Sequence, residues 1–297
     1  MNVIRPAALV LPAITALLFA VPAASQSAAD APIVVTGQKN LEEQIDSFVG
    51  ALTKAPVTGQ LAKFETEICP AALGLPDSYR TAVEQRIRLV AKEVGLRVAK
   101  EKCAANVLVM VTTDKAQLLK TLKTKYSYFF SNKTPSEYRA IIAQPGPTAA
   151  WQIERMLNAD GAPMPISEEG FAINQTTRSG SRMTAAARPT FSAAAVVVEA
   201  SALVGLSATQ LADYAVMRTF ARTDPALLGA SAPPTILNIM EAPDDAEVPI
   251  TMTQWDFGFL KGLYAAPKNL RASAERSQIG SVLQGELEKP GNAPGAE

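Results

Sequence analysis

The sequence predicts one α+β (mixed α/β) domain, with a mixed sheet packed by amphipathic helices, and three observations carry that expectation. Two apolar runs, "NVLVMVTT" at 106–113 and "FSAAAVVVEA" at 191–200, have the length and β-branched content of strands buried on both faces. Around them lie segments with helical spacing of apolar residues and helix-start signals, so strands and helices interleave along the chain. A hydrophobic content of 48% over 297 residues is enough to bury a substantial core.

At the N-terminus, Arg5, the apolar residues 7–20 and the small residues of Val21-Pro22-Ala23-Ala24-Ser25 read as a signal peptide over 1–25. Pro12 interrupts the apolar run, which is shorter than the roughly 20 residues of a spanning helix. A cleaved chain with no membrane span, in the periplasm or secreted, is expected. Residues 26–39 read as a flexible linker, 40–266 as the domain, and 267–297 as a C-terminal helix with a disordered tail ending "PGNAPGAE".

Asn40 followed by Glu43 reads as the cap of a first helix, with Leu41, Ile45, Phe48, Val49 and Leu52 on one face. Residues 61–69, "LAKFETEIC", alternate as a strand does. Pro76-Asp77-Ser78 opens an amphipathic helix with the stripe Tyr79, Val83, Ile87, Ala91 and Val94, and Gly95 closes it. A short strand at 96–99 precedes the long one at 106–113, after which Asp114 caps a helix carrying Leu118, Leu119 and Leu122. Residues 151–157 form a further strand that leaves through Asn158-Ala159-Asp160-Gly161, which has turn chemistry. Residues 162–189 lose periodicity, so hairpin arms or a flap are expected there, with Arg178, Arg182 and Arg188 as a solvated face or an anion site. Beyond the strand at 191–200, Ser207 caps a helix over 208–221. "TILNIM" at 235–240 is a short apolar segment, Thr253 starts a helix to 264, and a polar helix runs over 268–288.

The chemistry open to this chain is narrow. Histidine is absent from all 297 residues, which excludes Ser-His-Asp and Cys-His nucleophile systems and zinc sites of the HExxH kind. No P-loop, dinucleotide fingerprint, G-x-S-x-G or S-x-x-K motif occurs. With 28 basic and 28 acidic residues, the charge balance offers nothing to nucleic acid or an anionic membrane. Carboxylate chemistry stays open, with Glu199, Asp213 and Asp256 as the acids to watch. Cys69 and Cys103 are expected to form a disulfide in an oxidising compartment. Cys69 ends one predicted strand and Cys103 precedes another, and adjacent parallel strands would hold two such points roughly 20 Å apart at about 3.3 Å per residue. The expected arrangement is therefore 64–69 antiparallel to 106–113.

Three blocks, "IDSFVGALTKAPVTGQLAKFETEICPAALGLP", "VVVEASALVGLSATQLADYAVM" and "MTQWDFGFLKGLY", resemble an uncharacterised family of secreted or periplasmic proteins of Gram-negative bacteria. That resemblance implies a compartment and a fold, and no activity. The order of a strand at 194–199, a helix at 210–220, "TILNIM" and the "FLKGLY" helix is also similar to that of metzincin-type zinc proteases. A zincin-like skeleton would set Asp213 and Tyr214 near the position of that family's metal, with none of its histidines present. Otherwise Asp213 is an ordinary polar residue on a core-facing helix, and Glu199 is a solvated strand terminus rather than a catalytic acid. Finally, "IVVTG" resembles the TonB-box-like start of TonB-dependent transporters. It implies that Ile33, Val34, Val35 and Thr36 add a β-strand to an envelope partner, the alternative being an edge strand or inert linker.

On this reading no catalytic residue, metal or cofactor is expected. A non-enzymatic periplasmic binding or interaction protein comes first. A carboxylate-dependent hydrolase and a structural cell-envelope component stay open, as does the oligomeric state.

Overall fold

The computed structural model describes residues 36–53, 59–229, 231–243 and 246–289. The segment read as signal peptide, the linker up to residue 35, including Ile33, Val34 and Val35, and the tail from 290 lie outside the described residues, whereas linker residues 36–39 are helical. No helix among the described residues is long and apolar enough to cross a membrane.

Among the described residues, five strands form one mixed sheet: β1 (Lys63–Phe64), β2 (Pro70–Leu73), β3 (Val107–Thr112), β4 (Thr148–Asn158) and β5 (Ala187–Glu199). The long strand β5 organises it. Along one edge, β5 pairs in parallel first with β1, through Thr190 and Phe191, and then with β3, through residues 194–199. Its other edge pairs antiparallel with β4, with a register shift between Ile153 and Glu154. On the far side β3 pairs in parallel with β2. The side chains of β5 alternate between two cores: Ala194, Val196 and Val198 face one layer, Ala195 and Val197 the other. Each of these valines is fully buried, and each burial stabilises the fold by about 1.5–3 kcal/mol. A charged residue at any of these valine positions would break the sheet's centre.

The larger core takes α1 (Thr36–Leu52), α2 (Asp77–Glu93), α5 (Ala208–Phe220), α6 (Gln254–Ala265) and α7 (Ala272–Leu287). The smaller one takes α3 (Lys115–Lys125), a 3-10 turn at Ser127–Phe130 and α4 (Pro135–Ile142), closed by Trp151, which donates from Nε1 to the Phe129 carbonyl at 2.7 Å. Helix starts follow local chemistry. Thr134 with Glu137, Ser207 with Gln210 and Thr253 with Asp256 form capping boxes, and Asp114 accepts from the Gln117 amide. Helix α2 ends as its glycine signals: Gly95 sits at φ +86°, its amide bonds the Lys92 carbonyl, and the Leu96 amide bonds that of Ala91. Helices α6 and α7 approach so closely that a Cβ on Gly262 would stand 2.8 Å from Ile279 Cα.

Several expectations need correcting. The strand read at 61–69 is only Lys63–Phe64, and the chain resumes as a strand at Pro70. Proline can begin β2 because it is the first residue of an edge strand, where no ladder donor is required. The Cys69–Cys103 disulfide forms, with Cα atoms 6.0 Å apart, yet the strands it joins are parallel. Both cysteines precede their strands, so parallel pairing brings them together; the antiparallel expectation failed because it put Cys69 at a strand's end. The first helix starts at Thr36 rather than Asn40, so Thr36, read as extended, is helical. Helix α4 was not anticipated, although its capping box is legible. The C-terminal helix, read as polar and outside the domain, buries Ile279 and Leu283 in the larger core.

Candidate functional site

Helix α5 is buried from Gln210 to Phe220, and Asp213, Tyr214 and Arg218 divide between two of its flanks. On one flank is Asp213, with 0% exposure. Arg86 of α2 donates to both its oxygens, Nε to Oδ1 at 2.7 Å and Nη2 to Oδ2 at 3.0 Å. Thr251 Oγ1 and the Met252 amide each donate to Oδ2 at 2.7 Å. Four donor atoms, two of them on one bidentate guanidinium, saturate the carboxylate. Its effect is to tie α2 and the segment before α6 to α5.

The other flank carries Tyr214 and Arg218, one helical turn apart and so on the same face. The Tyr214 hydroxyl shares a 2.7 Å hydrogen bond with Thr148 Oγ1 of β4 and accepts from Arg218 Nη1 at 2.9 Å. Arg218 Nη2 donates to Gln144 Oε1 at 2.9 Å, and its guanidinium lies 5.7 Å from the centre of the Tyr214 ring. The Gln144 amide pairs with the backbone of Ala150 as a neighbouring strand would, blunting the exposed edge of β4. Beside these groups, Lys115 Nζ donates to the carbonyls of Gln144, Gly146 and Thr148 at 2.8, 2.5 and 3.2 Å.

This flank holds two buried cations, Lys115 and Arg218, and is not fully satisfied. Arg218 is 5% exposed, forms no ion pair with any carboxylate of the described residues, and its Nε makes no hydrogen bond. A buried unpaired donor costs about 1–3 kcal/mol. Burial pulls the Lys115 ammonium below its ordinary value, against the opposing charges of Glu199 and Glu241. Burial likewise pushes the Tyr214 phenol up, outweighing Arg218 beside it. A phenol held protonated is a hydrogen-bond partner, not a base at neutral pH. Chemically the cluster can orient an acceptor group.

Of the three acids singled out in the sequence, the structure brings only Glu199 into this neighbourhood. Glu199, at the end of β5, accepts from the Lys115 amide at 2.9 Å and so caps the start of α3. Tyr214 belongs to the cluster; Asp213 faces the opposite flank. Asp256 is equally buried and accepts from Thr235 Oγ1, the Ile236 amide and both Thr253 donors, which fastens the 235–236 segment to α6. Arg188 is neither a solvated residue nor an anion site, because Glu65 occupies it at 2.6 and 2.9 Å. Sequence reasoning missed Arg218, Lys115 and Gln144. A Tyr and an Arg four residues apart in the apolar helix "LADYAVMRTF" was the available signal for the first; the other two reach the cluster only through tertiary packing.

No protein-family model, curated protein or solved structure matches this chain. A zinc ion of the zincin kind does not fit these residues. Asp213 and Tyr214 have their oxygens engaged by arginines and hydroxyls, and no group of three or more His, Cys, Asp or Glu among the described residues is placed to hold a metal.

Proposed function

We propose that this chain is a non-enzymatic binding or interaction protein working in the periplasm or secreted from the cell. The observation that carries the reading is the occupation of its acids. Asp213 and Asp256 are fully buried and saturated by hydrogen bonds, and Glu199 is engaged by the backbone amide that starts α3. Carboxylate hydrolysis needs two reachable acids facing one substrate bond, one of them free to exchange a proton. The Cys69–Cys103 disulfide is compatible with an oxidising compartment. The chain order β5, α5, the 235–240 segment and α6 is in keeping with a zincin-like skeleton whose metal site has been replaced by the Tyr214–Arg218 cluster.

The test is a screen of peptide, ester, glycoside and phosphoester substrates with wild type and with Glu199→Gln and Asp213→Asn. No turnover is expected from any of them. Turnover that disappears in a folded Glu199→Gln variant would replace this reading with the hydrolase. Whether the segment before α1 recruits an envelope partner is answered by capture from envelope extract with and without residues 31–35. Strand addition predicts a protein retained only by the longer form.

A further inference from the structure

The two sulfurs of the Cys69–Cys103 bridge are placed unequally. Cys69 is buried, at 4% exposure, just before β2, whereas Cys103 is partly exposed on the loop that leads into β3. Arg88 of α2 donates from Nη2 to Cys103 Sγ at 3.5 Å, and among the described residues no charged side chain bonds Cys69. The same guanidinium donates from Nη1 to the Ala99 carbonyl at 2.6 Å, so the backbone fixes its position whether or not the bridge is closed. Lys102, at φ +60°, turns the chain just before Cys103, and exposed Lys100 and Lys102 outnumber Glu101 between them.

The backbone that carries the sulfurs is held together without them. The Ile68 amide bonds the Arg97 carbonyl at 2.8 Å, and the Ala99 amide bonds that of Ile68 at 3.0 Å. The Cys69 amide donates to Asn106 Oδ1 at 2.8 Å, Asn106 Nδ2 donates to the Glu67 carbonyl at 2.9 Å, and the Cys69 carbonyl accepts from the amides of Asn106 and Val107 at 3.0 and 3.2 Å. These bonds tie 67–69 to both ends of the loop that bears Cys103, so opening the bridge leaves two thiols facing each other in a folded chain. A neutral disulfide sulfur is a weak acceptor and gains little from a guanidinium. The contact becomes strong when the bridge is open and Cys103 is a thiolate.

We propose that Cys69 and Cys103 form a reversible dithiol–disulfide couple that exchanges with small external disulfides and thiols, with Cys103 as the entering sulfur and Cys69 as the resolving one. In the reduced protein the Cys103 thiolate attacks one sulfur of the external disulfide. That S–S bond breaks, the distal sulfur leaves with the electron pair and takes a proton, and Cys103 is held in a mixed disulfide. Cys69 gives its proton to solvent and attacks the Cys103 sulfur, which closes the bridge and expels the second external thiolate. The protein loses one electron pair and the external disulfide gains it. An external dithiol runs these steps backwards, again through Cys103, because Cys69 is covered. Arg88 is a positioning residue: its charge holds Cys103 as thiolate below the ordinary cysteine value of about 8.5. The exchange is stoichiometric for each chain and stands independently of the binding role proposed above.

The test reduces the wild-type protein with dithiothreitol, removes the reductant and confirms by circular dichroism that the chain stays folded. Glutathione disulfide is then added, and samples quenched with acid are read by peptide mass mapping. Glutathione should appear on Cys103 first and give way to the closed bridge. Iodoacetamide should label Cys103 of the reduced, folded protein ahead of Cys69, with a rate that rises with pH around a midpoint below about 8.5. Arg88→Gln should raise that midpoint and slow labelling at about pH 6.5 by at least about threefold, and Arg88→Lys should restore most of the rate. An arginine that served only to staple the loop would leave the midpoint where it was. The inference is overturned by a bridge that dithiothreitol opens only as the chain unfolds, by glutathione that appears first on Cys69, or by a midpoint indifferent to Arg88→Gln.

Discussion

The two flanks of α5 are built from similar materials to opposite ends. Asp213 on one side and Arg218 on the other are buried charged groups on the same helix, five residues apart. Asp213 meets a bidentate arginine, a hydroxyl and an amide, and its charge is balanced where it stands. Arg218 meets a phenol and a side-chain amide, finds no carboxylate, and keeps one donor bare. Burying a charge is tolerable when it is paired and fully hydrogen-bonded, and costly otherwise. The difference teaches that the Asp213 flank is architecture, whereas the Arg218 flank carries an expense that stability alone does not account for.

The largest effect should come from the closed flank. Asp213→Ala removes the carboxylate that balances the Arg86 guanidinium, in a position where the arginine side chain is only 11% exposed. Losing one partner of such a pair costs about 3–5 kcal/mol. Urea unfolding should show that loss, and a change below about 1 kcal/mol would mean that the carboxylate is not the tie described here. Next comes the Cys69–Cys103 bridge, whose Cys103 Sγ accepts from Arg88 of α2, the helix that also carries Arg86 to the closed flank. Reducing it should remove about 3–4 kcal/mol, chiefly by freeing the unfolded chain, and leave the Arg218 flank unchanged.

On the open flank the effects should be smaller and of a different kind. Tyr214→Phe should cost about 1.5–3 kcal/mol at neutral pH, the worth of a buried hydrogen bond to a charged group. Its signature is alkaline. Burial holds the Tyr214 phenol above its usual value, and that of Tyr264 likewise, so the folded chain keeps these protons where the unfolded chain has lost them. Their contribution is fully present below about pH 10, the unfolded value, and declines as pH rises beyond it. Removing Tyr214 should therefore flatten the alkaline loss of stability by up to about 1.4 kcal/mol per pH unit. An identical slope in both proteins would place the phenol in contact with solvent. The smallest effect is expected from Arg218→Met, which removes an unpaired cation while keeping much of its volume. Stability should change by less than about 1 kcal/mol and can rise. A loss as large as that of Asp213→Ala would erase the distinction between the flanks.

Much of the frame was legible because it is local. Ser207, Thr253 and Asp114 announce their helices by side-chain chemistry within three residues of the cap, and Gly95 announces an end by a backbone conformation that other residues avoid. The interleaved apolar runs gave the mixed fold, and two cysteines in one chain gave their bridge. Strand direction was not legible. It turned on whether Pro70 stops a strand or begins one, and that depends on β2 lying at the sheet's edge, a property of the assembled sheet. The arm at 162–189 could be recognised as irregular, but not as a hairpin whose apolar side chains stay uncovered.

By itself, then, the sequence determined what this protein lacks and how its pieces begin: no imidazole, a balanced charge, one possible disulfide, and helices and strands in their order. The tertiary structure alone decided which polar groups are spent. Asp213 and Arg218 look alike as charged residues on an apolar helix. One is neutralised by a residue 127 positions away in the sequence, and the other meets Gln144, 74 positions away, which brings no charge. Satisfaction of a buried group is set by the partners that folding delivers to it, and those partners are distributed along the chain without any local pattern to read.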